Sequence, residues 1–176
     1  RSGRKPVFNG GVLPQNLNEL EIPSWDTKVI DDYKKLAELF DLEVTLPMQT
    51  SRGCTFKCTF CSETRLYRYK NNEKIVDEMK GLENKTGINN FWFTDSLING
   101  SMPLFKKFIN KLEEETESGN IPKMYWGGHF RTHKKLDGEL LSRAVNVGLN
   151  YMNVGVENGV NKILALMEKG QTSDDV

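Results

Sequence analysis

No run of apolar residues in this 176-residue chain approaches the roughly 20 that a membrane-spanning helix requires. Charge of one sign is also missing. The 24 basic and 24 acidic side chains cancel, and without a basic excess the chain lacks the electrostatic footprint of a nucleic-acid binder. The basic opening Arg1-Ser2-Gly3-Arg4 leads into Pro6, Gly10 and Gly11 rather than an apolar core. No secretory signal is therefore expected, and the expected location is the cytoplasm. Cysteine is scarce too: only Cys54, Cys58 and Cys61 are present. A disulfide framework would use an even, dispersed set, so three clustered thiols point to metal instead. The chain starts on Arg1, and Gln171–Val176 reads as a cap without its helix, so both ends are expected to be cut.

What is present is an ordinary globular composition, 38% hydrophobic and 27% charged, in a chain long enough for one domain with a core. Residues 1–43 are turn-rich at first, with Pro6, Gly10, Gly11, Pro14 and Pro23. Val29, Ile30, Tyr33, Leu36, Leu39 and Phe40 then recur at near-helical spacing. This region reads as an irregular linker that packs on the main domain. From residue 44 the pattern becomes regular. Val44, Leu46 and Met48 alternate as a strand, and Asn72 is placed to cap a helix carrying Ile75, Val76, Met79 and Leu82. Ile88–Thr94, Met124–Trp126 and Tyr151–Val156 read as further strands. Helices follow them: one opened by Pro103, one over Asp137–Val147 with Gly148 behind it, and one around Ile163, Leu164 and Met167 that Gly170 ends. Four strand–helix units imply a parallel sheet with right-handed crossovers. Four such units are half of an eightfold barrel.

The chemistry sits in Cys54-Thr55-Phe56-Lys57-Cys58-Thr59-Phe60-Cys61, a C-x3-C-x2-C loop between the first strand and the first helix of the regular part. Three thiolates can hold three irons of a cubane cluster and leave the fourth open to an outside ligand. Gly53 gives the backbone the freedom to approach such a cluster. A structural zinc site would add histidine, and His129 and His133 are spaced H-x3-H. However, residues 62–128 separate them from Cys61, far more than the ~12–15 of a finger.

The stretch from Leu46-Pro47-Met48-Gln49-Thr50-Ser51-Arg52-Gly53-Cys54 to Cys61-Ser62-Glu63, with Phe60 before the third cysteine, resembles the opening of radical S-adenosylmethionine (SAM) enzymes. The resemblance covers roughly residues 44–170. It implies an α/β fold, a partial parallel (βα) barrel: residues 44–176 would be the N-terminal half of a radical SAM core, preceded by linker residues 1–43. It implies a [4Fe-4S] cluster on Cys54, Cys58 and Cys61, with SAM on the open iron and Phe60 beside the cofactor. Reductive cleavage of SAM would yield a 5′-deoxyadenosyl radical for modification of a substrate. Electrons would come from a reductase partner of flavodoxin or ferredoxin type.

Further positions follow from the same resemblance. The family's Gly-Gly-Glu-type segment after the second strand is replaced by Phe93-Thr94-Asp95-Ser96-Leu97, where Asp95 is the candidate acceptor for the SAM ammonium. A turn or cap Asp is the plainer reading. Val154-Gly155-Val156-Glu157-Asn158-Gly159 resembles the segment after the fourth strand and puts Glu157 near the SAM ribose, against the plainer reading of a first-turn Glu. Arg131, after the third strand, is the candidate partner of the SAM carboxylate, against a surface ion pair. His129 and His133 read as packing residues, Met167-Glu168-Lys169-Gly170 as structural, and Arg65, Arg68 and Lys70 as a solvated loop over the cluster. Residues 20–34 are similar to the linker of members whose N-terminal domain binds cobalamin. The resemblance thus leaves room for cobalamin and methyl transfer through a domain outside these residues. The rival readings are a tRNA methylthiotransferase-type enzyme and a zinc-stabilised interaction module.

Overall fold

Period-two alternation decides which face of each strand is covered. In Asn90–Phe93, the side chains of Phe91 and Phe93 are buried while Trp92 faces the other way and is half-buried. In Tyr125–Phe130, Trp126 and Phe130 are buried while Tyr125 and His129 are exposed. The computed structural model describes residues 14–63 and 66–175. Pro6, Gly10, Gly11 and Arg65 lie outside them. The elements are α1 (Thr27–Leu39), β1 (Leu46–Met48), β2 (Ser51–Arg52), β3 (Arg68–Tyr69), α2 (Asn72–Thr86), β4 (Asn90–Phe93), α3 (Met102–Glu117), β5 (Tyr125–Phe130), α4 (Gly138–Asn146), β6 (Leu149–Val154) and α5 (Asn161–Leu166), with single 3-10 turns at Leu17–Glu19 and Ser173–Asp175.

Strands β1, β4, β5 and β6 form one sheet in that order, and every neighbouring pair is parallel. This is the arrangement expected of half a barrel. Its helix-covered face is the core. Trp126 is fully buried among Phe93, Phe105 and Phe108, with ring centroids 5.7, 6.3 and 5.2 Å away. Its indole N–H donates to the Val147 carbonyl at 3.0 Å. Ile75, Met79 and Leu82 of α2, Ile109 and Leu112 of α3, and Leu140 and Ala144 of α4 complete it. Each fully buried side chain of this size contributes ~1.5–3 kcal/mol of transfer free energy. The opposite face carries Pro47, Trp92, His129, Tyr151 and Asn153, and there Tyr151 is 56% exposed. The α4–β6 corner needs glycine: Gly148 has φ +99°, and a Cβ on it would stand 1.7 Å from the Met124 carbonyl oxygen.

Several local expectations change. The cap of α2 is Asn71, whose Oδ1 accepts from Lys74 N at 2.9 Å. Asn72 is buried instead and accepts from the Tyr69 hydroxyl. Arg68 and Lys70 are not solvated. β3 pairs antiparallel with β2, which turns Arg68 inward to the Pro14 carbonyl at 2.7 Å and Lys70 onto Glu78 at 2.5 Å. Of the amphipathic stretch in α1, Ile30 alone is buried, and Tyr33, Leu36, Leu39 and Phe40 remain exposed. Val145 of α4 and Ile163 of α5 are also exposed. Among the described residues no helix is long and apolar enough to cross a membrane.

Candidate functional site

The cysteine loop leaves the C-terminal end of β1, the end of a parallel α/β sheet at which ligands gather. Its take-off is fixed by a buried carboxylate. Asp95, 1% exposed just after β4, accepts from Thr50 N at 3.0 Å, Thr50 Oγ1 at 2.8 Å and Ser51 Oγ at 2.5 Å, and also from Ser51 N. Burial pushes the Asp95 carboxyl above the usual carboxylate range, and the Ser51 and Thr50 donors pull back against that shift. Gly53, at φ +81°, then takes the left-handed turn into the thiols. Beside it, burial raises the Tyr67 phenol to about 12.

The loop is tied down on its far side too. Thr59 N donates to the Met167 carbonyl at 3.0 Å, which docks the loop on the end of α5. Cys61 N donates to the Cys58 carbonyl, and Thr55 Oγ1 to the Gly100 carbonyl, at 3.2 and 3.0 Å. All three thiols are free, and all three line one cleft of about 340 Å³. The same cleft is walled by Phe56, Phe60, His129, Arg131, Glu157 and Lys169.

Of the residues singled out from sequence, Arg131, Glu157 and Phe60 are therefore brought together with the thiols. Asp95 is not: its carboxylate lies under the loop with both oxygens occupied, so it does not face the cleft. Arg131, buried at the end of β5, lays its guanidinium 3.7 Å from the centroid of the Phe56 ring and points Nη1 at Cys58 Sγ, 3.9 Å away. It is not a surface ion pair. Its Nη2 has no hydrogen-bond partner among the described residues. Glu157 holds φ +63°, a conformation costly for a non-glycine residue, and lies before α5 rather than in its first turn. Its Oε1 receives Lys169 Nζ at 2.8 Å. Lys169 is nearly buried and its Nζ also stands 5.8 Å from the Phe60 ring centroid. Its place in the sequence suggests a structural role, yet it lines the cleft. His129 is exposed in the cleft with its ring edge-on to Trp92 at 5.6 Å, so it is not a core packing residue. His133 lines a different cavity and accepts from Lys135 N.

The donor set is three free thiols lining one cleft. Among the described residues no three His, Cys, Asp or Glu side chains converge as ligands of one metal ion. Three thiols on one cleft wall, each free to bind its own iron, match a cubane with one open corner. The orphaned Arg131 Nη2 is a donor awaiting an anion. Such a cleft at the strand ends of a parallel α/β sheet carries the donors to hold a metal cluster.

Comparison with known proteins narrows that class. The Radical SAM superfamily model matches residues 48–176, and the chain belongs to this superfamily. The family's cofactors, a [4Fe-4S] cluster and SAM, come with that membership. The chain is 33% identical over 156 residues to the anaerobic magnesium-protoporphyrin IX monomethyl ester cyclase of Cereibacter sphaeroides, a match covering 85% of this chain and 24% of the cyclase. It is 34% identical over 165 residues to an uncharacterised methyltransferase of Pyrococcus horikoshii, covering 91% of this chain and 33% of that protein. Among solved structures, TsrM, a radical SAM methyltransferase from Kitasatospora setae with cobalamin and a [4Fe-4S] cluster bound, shares the fold. Its TM-score is 0.64 at 22% identity, over 78% of this chain and 27% of TsrM. The chain thus spans about a quarter to a third of the length of these relatives.

Proposed function

We propose that this chain is the cluster-bearing part of an enzyme that cleaves SAM reductively, within the branch of the superfamily that also uses cobalamin. The observation that carries the reading is the cleft itself: three free thiols share one cavity with Arg131 and Glu157 at the carboxyl ends of parallel strands. Cys54, Cys58 and Cys61 ligate three irons. When bound, the cluster supplies the electron that breaks a sulfur–carbon bond of SAM and so frees a 5′-deoxyadenosyl radical. The protein's own work is orientation. Arg131 offers an unpaired N–H to the SAM carboxylate, Glu157 accepts from the ribose hydroxyls, and Phe60 shields the cofactor from water at the mouth of the cleft. Lys169 Nζ, 2.8 Å from Oε1, holds the Glu157 carboxylate in place. Asp95 takes no part in holding SAM and instead anchors the loop.

The cobalamin branch is supported by the relatives, since TsrM is described with cobalamin bound and a methyltransferase and a cyclase stand among the curated matches. Partners are SAM, a substrate to be modified and a reductase of flavodoxin or ferredoxin type. The test is anaerobic reconstitution of the protein with iron and sulfide, followed by dithionite and SAM. Release of 5′-deoxyadenosine, or methyl transfer in the presence of cobalamin, is expected. An intact cluster that leaves SAM unchanged under both conditions refutes the catalytic reading.

A further inference from the structure

We propose that Arg131 is a positioning residue for the cluster itself, a fixed cation on the Cys58 sulfur that makes the cluster easier to reduce. This rests on the reading of the three thiols as iron ligands. Three features fix the side chain. Asn99 clasps its backbone on both sides, accepting from Arg131 N at 3.0 Å and donating to Arg131 O at 2.8 Å. The Phe56 ring forms a shelf 3.7 Å from the guanidinium carbon. Cys58 Sγ accepts from Nη1 at 3.9 Å. Phe56 belongs to the cysteine loop, so the guanidinium grips the loop twice, once through a ring and once through a sulfur.

The charge is largely uncommitted. Glu157, the carboxylate sharing the cleft, is taken by Lys169 at 2.8 Å. Asp175 feels Arg131 only as a minor charge–charge contribution to its own lowered pKa. Nη2 lies against Gly170, where a Cβ would stand 3.5 Å away, and has no partner among the described residues. A buried guanidinium with a free N–H is expensive until an anion meets it. Nη1 already faces such an anion, the Cys58 sulfur that would carry cluster charge, while Nη2 stays free for the SAM carboxylate. Because reduction adds negative charge beside a fixed cation at low dielectric, the reduced state gains most. Lysine at this position would keep the charge but lose the flat shelf contact on Phe56.

The experiment is a potentiometric titration of the reconstituted protein followed by electron paramagnetic resonance. Arg131→Gln is expected to shift the cluster potential to more negative values at unchanged iron content, and Arg131→Lys to stay near wild type. Equal potentials for wild type and Arg131→Gln overturn the inference. A second measurement decides the matter even if the Gln variant takes up no iron. Wild-type protein labelled with 15N-arginine should show a 15N coupling in pulsed spectra of the reduced cluster, absent from labelled Arg131→Lys. No coupling in wild type overturns the inference while leaving the three-thiol reading intact. A wild-type protein that binds no cluster overturns both.

Discussion

Asp95→Ala should separate a loop anchor from a ligand contact. In the native protein the carboxylate accepts four hydrogen bonds from Thr50 and Ser51, two from backbone N–H groups and two from hydroxyls. After truncation the hydroxyls can swing to other acceptors, but the two N–H groups cannot. Each buried N–H left unpaired costs ~1–3 kcal/mol, so the loss is roughly 2–6 kcal/mol. That is a large share of the ~5–15 kcal/mol that holds a domain together. Asp95→Asn keeps one oxygen for the three contacts made by Oδ1 but turns an NH2 toward Thr50 N–H. One donor facing another should cost ~1–3 kcal/mol. Urea unfolding followed by circular dichroism measures both. With slopes of ~1–3 kcal/mol per molar, the Ala midpoint should fall by at least ~0.7 M. Iron uptake should fall with it, because β1 no longer launches the cysteine loop at a fixed angle. An Ala variant within ~0.5 kcal/mol of wild type that still loads iron, but binds SAM weakly, would refute the anchor and restore the ligand role.

Other outcomes follow from the same contacts. Glu157→Gln should keep iron and weaken SAM binding by roughly 10- to 100-fold, the loss of a charge-assisted bond of ~1.5–3 kcal/mol, read by equilibrium dialysis; unchanged affinity removes Glu157 from the site. Lys70→Met leaves Glu78, 1% exposed, with only Lys74 at 3.8 Å and should destabilise by ~1–5 kcal/mol in chemical denaturation. Gly148→Ala should cost more than ~2 kcal/mol, since its Cβ meets the Met124 carbonyl and its φ is positive; a neutral result would mean the α4–β6 corner is misdrawn. Cys58→Ala should abolish the visible absorption of the reconstituted cluster.

The strand–helix rhythm was legible because each strand carries its own apolar alternation and each helix its own stripe, both local signals. The cysteine cleft was legible because its spacing is chemistry rather than shape. Contacts made at long range were not. β2 and β3 are two residues each, too short for a periodic signal, so the burial of Arg68 and Lys70 depends on Pro14 and Glu78 and cannot be read from the local sequence. Asp95 could be placed at a strand end, but which way its carboxylate turned depended on the donors at Thr50 and Ser51. Lys169 joins Glu157 only after α5 folds back. Asn71 and Asn72 are adjacent equivalents, and the Tyr69 hydroxyl decides between them.

The most direct test of the central claim is the electron paramagnetic resonance spectrum of the dithionite-reduced, reconstituted protein with and without SAM. Three thiol ligands and one open iron predict about four irons per chain and a reduced-cluster signal whose g-values move when SAM is added. A full cluster whose signal is indifferent to saturating SAM would contradict it.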